Sequence, residues 1–212
     1  GLGILLMAGL LSLHRLPGFD NWRVIKNLQL SPDSLPYSLY FNFDKTLIGL
    51  FILAFGQTLI RSRQDWRRMF QAWIPAFALG AVSILLASYA LGYIRFDPKF
   101  PEMFWIWLPK MLLFTCLAEE ALFRGFIQKE LAVLWTPHRW GRAAALVIAS
   151  VLFGLSHFAG GWKYILLATL AGLFYGGVYM KTDRIESSVL FHFSLNTLHL
   201  LLFSYPSLSS AP

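Results

Sequence analysis

Phe114–Gln128 reads F-T-C-L-A-E-E-A-L-F-R-G-F-I-Q, setting Glu119, Glu120 and Arg124 inside an otherwise apolar run. The rest of the chain says what kind of solvent such a run meets. Of 212 residues, 57% are hydrophobic and 17% aromatic, only 14% are charged, and the mean hydropathy is +0.56. Soluble domains carry about 25% charged residues, and a water-soluble fold of this length with so few could not cover its surface. The composition excludes a disordered chain, a disulfide scaffold, a coiled coil and most soluble enzymes. The expected architecture is all-α, a polytopic transmembrane helical bundle forming a single membrane-embedded domain over residues 1–212.

A transmembrane helix needs about 20 mostly apolar residues, and on that rule about seven spans are expected. They run roughly over 1–16, 39–60, 73–94, 104 to beyond 126, 143–158, 164–180 and 187–205. The stretch 17–38, with its Pro-Gly and Ser-Pro-Asp clusters, reads as a loop or interfacial segment. The first apolar stretch reads as a truncated span and not as a cleaved signal peptide, because no small-residue cleavage site follows it.

The net charge of +7 does not read as a nucleic-acid signature, which needs clustered basic residues among stacking aromatics on a wetted face. Instead the basic residues fall between the spans. The loops after spans two, four and six hold Arg61, Arg63, Arg67, Arg68, Lys129, Arg139, Arg142, Lys181 and Arg184, against seven basic residues on the opposite side. The positive-inside rule then makes the Arg61–Arg68 loop cytoplasmic. An integral multi-pass membrane protein is expected, in the plasma (inner) membrane if the source is bacterial.

Charges near the bilayer centre cost roughly 2.5–3.5 kcal/mol each on insertion scales, so the three in the fourth span need partners. Glu120 and Arg124 are four apart with the acid N-terminal, the favourable order for a helical ion pair. Glu119 is rotated about 100° from Glu120 and is left for something else. Two later spans offer it: Phe153 and His157 lie one turn apart in the fifth, and His192, Asn196 and His199 form a stripe in the seventh. A carboxylate, two imidazoles and an amide converging in a low-dielectric cavity can take a proton from water and hold a developing oxyanion. The same residue types, Glu119, His157 and His192, make an alternative zinc set with an open position, although no H-E-x-x-H pair is present. Buried Glu–Arg pairs and single membrane histidines also serve packing alone. His14, His138 and His199 are read that way. Cys116, the single cysteine, is a conceivable nucleophile, but no residue near it in sequence would activate the thiol.

At these residues the chain resembles the CAAX protease and bacteriocin-processing (CPBP, or Abi) family of intramembrane endopeptidases. The family pattern is E-E-x-x-x-R, then F-x-x-x-H, then H-x-x-x-N or D, each on its own helix. Glu119-Glu120 with Arg124, Phe153 with His157, and His192 with Asn196 follow it in order. The resemblance covers about Phe104 to Phe203, a catalytic core, while the first hundred residues share only their hydrophobic spans. It implies that Glu119 and His157 activate a water, that His192 and Asn196 stabilise the oxyanion, and that Glu120 and Arg124, with Phe153, support them. It implies no cofactor, with zinc as the alternative. The implied partners are a membrane-tethered protein or peptide substrate and the bilayer.

Two other functions compete. One is a non-enzymatic membrane scaffold or immunity-type protein whose polar cluster specifies helix packing. The other is a proton-coupled transporter, disfavoured because no pair of interrupted helices recurs in related halves. Counting at 1.5 Å per residue also sets a puzzle. His192 sits about 10 Å from the basic end of its span and His157 more than 20 Å from the basic end of its own. They meet only if the fifth helix starts outside the bilayer or tilts, or if the turn after His157 dips inward.

Overall fold

A computed structural model of the chain describes Gly18 and residues 21–211. The first expected span, with His14, lies outside the described residues. The segment expected as a loop contains a strand. β1 (Trp22–Leu28) pairs antiparallel with β2 (Tyr37–Phe41), because Val24, Ile25 and Leu39 share an apolar cluster with Tyr37 and Phe41. Among the described residues this hairpin is the one strand pair beside the helices.

Six helices follow in alternating directions: α1 (Phe43–Gly56), α2 (Arg63–Ala90), α3 (the continuous helical run 104–134), α4 (Gly141–Leu155), α5 (Gly161–Thr182) and α6 (Ile185–Leu202). Helix α2 begins well before Trp73, where the span was expected, because Ser62 caps it by accepting the Asp65 amide at 3.0 Å. The segments Arg63–Ala90 and Phe158–Thr182 are long and apolar enough to cross a membrane. The count of seven spans does not follow from the helices. Helices α1 and α4 have only 14 and 15 residues. Helix α3 carries Lys110, Glu119, Glu120 and Arg124, and α6 interrupts its apolar sequence with Ser187, Ser188, His192, Ser194, Asn196 and His199.

The outside of the bundle is apolar. Ile74, Leu79, Val82 and Leu86 are exposed on α2, as are Val147 and Val151 on α4. Its inside holds Glu120, Arg124, Gln128, Ser150 and His192. This distribution suits a hydrocarbon surround, in which lipid tails are as apolar as leucine and buried polar groups tie helices together.

Both ends are fastened. At the basic end Arg184 donates to the Thr58 carbonyl, the Ile60 amide donates to Glu186, and Arg142 pairs with Asp183. At the other end the chain after α6 returns along the chain after α2, with the Ser204 amide on Arg95 O and the Leu208 amide on Tyr93 O. The small residues of α5 let the helices close up. Gly172 O accepts from Arg124 and Gly176 O from Gln128, and a Cβ on Gly172 would stand 3.1 Å from both Arg124 Nη2 and Ser150 Cα.

Candidate active site

Between residues 110 and 128, helix α3 is regular only where it carries the acids. Leu117–Glu120 is a single α turn between two wider π-type stretches, Lys110–Cys116 and Ala121–Gln128. Pro109, at the start of the first, has no N–H and its ring crowds the preceding turn, which favours the wider winding. Such segments cluster at functional sites. Here the consecutive carboxylates of Glu119 and Glu120 leave the helix toward different neighbours.

Glu120 belongs to a dry cluster. Arg124 Nη1 donates to its Oε1 at 3.1 Å, with both side chains at 0% exposure, as the i,i+4 spacing predicts. The same oxygen takes Nδ1–H of His192 at 3.0 Å. The Arg124 guanidinium also donates to Gly172 O at 3.1 Å and lies 4.5 Å from the Phe153 ring centroid and 5.4 Å from that of Tyr175. Tyr175 in turn stacks on His192 at 4.7 Å. The cation is thus held by one carboxylate, one carbonyl and two aromatic faces, which offsets much of its desolvation.

Glu119 stands apart from this. Its Oε2 is 4.0 Å from Nε2 of His157, beyond hydrogen-bond reach, and has no hydrogen-bond partner. His157 Nδ1 lies 2.7 Å from the Phe153 carbonyl. A carbonyl only accepts, so Nδ1 carries the proton and the Nε2 lone pair of a neutral ring faces Glu119. Two acceptors therefore confront each other across a gap. Glu120 Oε2 also lacks a partner, but it is sealed inside the helix contact.

The geometry explains the depth puzzle. His192 stands 5.8 Å from the Phe153 ring, and His157, just past the end of α4, stands 4.7 Å from the same ring. Helix α4 starts beside Asp183 at the basic end and is only about 22 Å long. The turn Phe158–Gly160 therefore lies near the depth of Glu119.

Glu119, Phe153, His157, His192 and Asn196 all line one cavity of about 350 Å3 between α2, α3, α4, α5 and α6. Glu120 and Arg124 lie behind its wall. Asn196 Nδ2 touches Met111 Sδ at 3.4 Å and Cys116 Sγ at 3.9 Å. Sulfur is a weak acceptor, so this amide N–H stays available for a stronger one. Cys116 is fully buried outside the cavity lining. His199 donates its Nε2–H to Ser204 O, 3.1 Å away, in the packing role expected of it, although it also borders the cavity. Among the described residues, no three His, Cys, Asp or Glu side chains converge as a metal-binding group. The alternative zinc set divides because Glu120, and not Glu119, claims His192.

Helix α5 supplies wall residues that the sequence reading treated as plain apolar span. Tyr164 meets the His157 ring edge-on at 5.0 Å. Tyr164, Ala168, Ala171 and Tyr175 all face the cavity. Their i, i+4, i+7, i+11 spacing was the available signal, small residues between two tyrosines on one helical face.

An apolar outer face, a buried polar core and an acid–imidazole gap inside it characterise the helical bundle. Residues 101–198 match the Rce1-like family, described as type II CAAX prenyl endopeptidase Rce1-like. The match covers just under half of the chain and contains all three motifs on which the CPBP resemblance rests. No curated protein and no solved structure matches the chain.

Proposed function

We propose that the protein is an intramembrane endopeptidase that hydrolyses a peptide bond of a membrane-associated protein or peptide with a water activated by Glu119 and His157. The observation that carries this reading is the 4.0 Å separation of Glu119 Oε2 and His157 Nε2, both acceptors and both facing the cavity. One water donating its two protons, one to each atom, satisfies both.

The steps follow from the positions. The water oxygen attacks the scissile carbonyl carbon while Glu119 takes a proton. The oxyanion is held by the Asn196 amide and by Nε2–H of His192, whose Nδ1–H is fixed on Glu120, so that Glu120 balances the charge when both ring nitrogens are protonated. Glu119 then delivers its proton to the leaving nitrogen as the C–N bond breaks. Phe153 keeps the two acid–imidazole pairs apart and supplies the carbonyl that sets the tautomer of His157. No step calls on a metal. With the basic end cytoplasmic, the helices form a multi-pass bundle and the cavity opens toward the opposite side.

Comparing native membranes that contain the wild-type protein with membranes that contain Glu119→Gln tests the reading. An uncut precursor accumulating in the variant supports it. Equal processing in both removes the mechanism and leaves the scaffold, under which the Glu120–Arg124–His192 cluster matters and Glu119 does not.

A further inference from the structure

A second cavity, of about 470 Å3, lies at the basic end where α3 ends, α4 begins and α5 ends. It is lined by Gln128, Lys129, His138, Arg139 and Arg142, with Asp183 as the one acid. Arg142 already spends part of its guanidinium on Asp183 at 3.2 Å and on Met180 O at 2.8 Å. Lys129 is anchored on Gly56 O at 2.6 Å, and the Arg139 guanidinium lies 4.8 Å from the Trp140 ring centroid. These contacts position the cations without using up the five N–H donors of each arginine or the three of the lysine.

The local electrostatics is unbalanced. Helix α4 begins with Trp140 at its cap, which contributes no side-chain bond, and its first turn contains no acid. Two arginines, Arg139 and Arg142, flank that positive helix terminus, the arrangement that an anion relieves. Gln128, 3% exposed, is fixed in the cavity wall by its Nε2, which donates to Gly176 O at 3.0 Å. A group that fills the cavity must therefore bring negative charge for the cations.

We infer that this cavity binds a phosphate-bearing anion. A glycerol phosphodiester headgroup and hydrogen phosphate share that chemistry. Exposed Val133, Leu134 and Trp140 beside the cavity are the apolar and aromatic residues that seat a helix end at the headgroup level, and basic pockets between membrane helices on the cytoplasmic side are suited to anionic headgroups.

The test uses the purified full chain in phosphatidylcholine nanodiscs, with thermal unfolding and native mass spectrometry as readouts. Phosphatidylglycerol is titrated in one arm and inorganic phosphate in the other. The expected result is stabilisation and retention of phosphatidylglycerol, weakened at least about tenfold in Arg139→Gln/Arg142→Gln, each protein being compared with its own midpoint in phosphatidylcholine alone. Protection by lipid only identifies the headgroup as the source; protection by inorganic phosphate as well identifies the phosphate itself. No stabilisation in either arm, or equal stabilisation of the double variant, overturns the site. If the double variant does not fold, Arg139→Gln alone serves, because its guanidinium rests on the Trp140 ring at the surface. Undiminished binding by that variant counts equally against the site.

Discussion

Glu119 and Glu120 are adjacent in the chain and differ in almost everything else. Glu120 and His192 touch at 3.0 Å with side-chain exposures of 0% and 6%, whereas Glu119 and His157 stand 4.0 Å apart with exposures of 24% and 18%. The inner acid has an arginine as well, and its charge is matched before any substrate arrives. The outer acid has an imidazole lone pair opposite it and a cavity in front. One pair is closed within the bundle, and the other lines a cavity. The roughly 100° between consecutive side chains on the α turn Leu117–Glu120 produces the contrast, since it sends them to different helices.

The largest expected effect falls on the inner pair. Arg124→Met leaves Glu120 buried without its cation and lowers stability by about 3–5 kcal/mol, visible as a collapse of the thermal midpoint. A variant as stable as wild type would erase the contrast. His157→Ala should do the reverse, reducing turnover by about 10²–10⁴-fold at a midpoint close to wild type. Next comes Gly172→Ala, whose added methyl presses on Arg124 and Ser150 and costs about 1–3 kcal/mol by overpacking. Urea or thermal unfolding of the reconstituted variant measures it. The smallest expected effect is none: chelation with EDTA leaves turnover unchanged, and a loss restored by zinc would instead assign Glu119 and His157 to a metal.

Much of this was legible before any coordinates, for physical reasons that differ by residue. The Glu120–Arg124 pair follows from helix geometry alone, and the structure realises it at 3.1 Å. Three motifs in order placed Phe153, His157, His192 and Asn196 with the acids, and all four border one cavity with Glu119. Which acid meets which histidine was not legible, because it depends on how α4 and α6 pack against α3. The His192–Glu120 contact, and with it the division of the zinc set, arises from that packing. The strand Trp22–Leu28 was hidden by the Pro-Gly and Ser-Pro-Asp clusters around it, which signal turns and say nothing of long-range pairing. Tyr164 and Tyr175 were missed because aromatic residues in an apolar span look like lipid-facing bulk until the small residues between them are noticed.

Everything distinctive about the outer pair rests on the charge and acceptor oxygens of Glu119. The most direct test is turnover of a membrane-embedded substrate by purified Glu119→Gln, with the thermal midpoint measured on the same sample. The account predicts a turnover loss of about 10²–10⁴-fold with an unchanged midpoint, since Glu119 Oε2 makes no hydrogen bond in the fold. Wild-type turnover by that variant would contradict it.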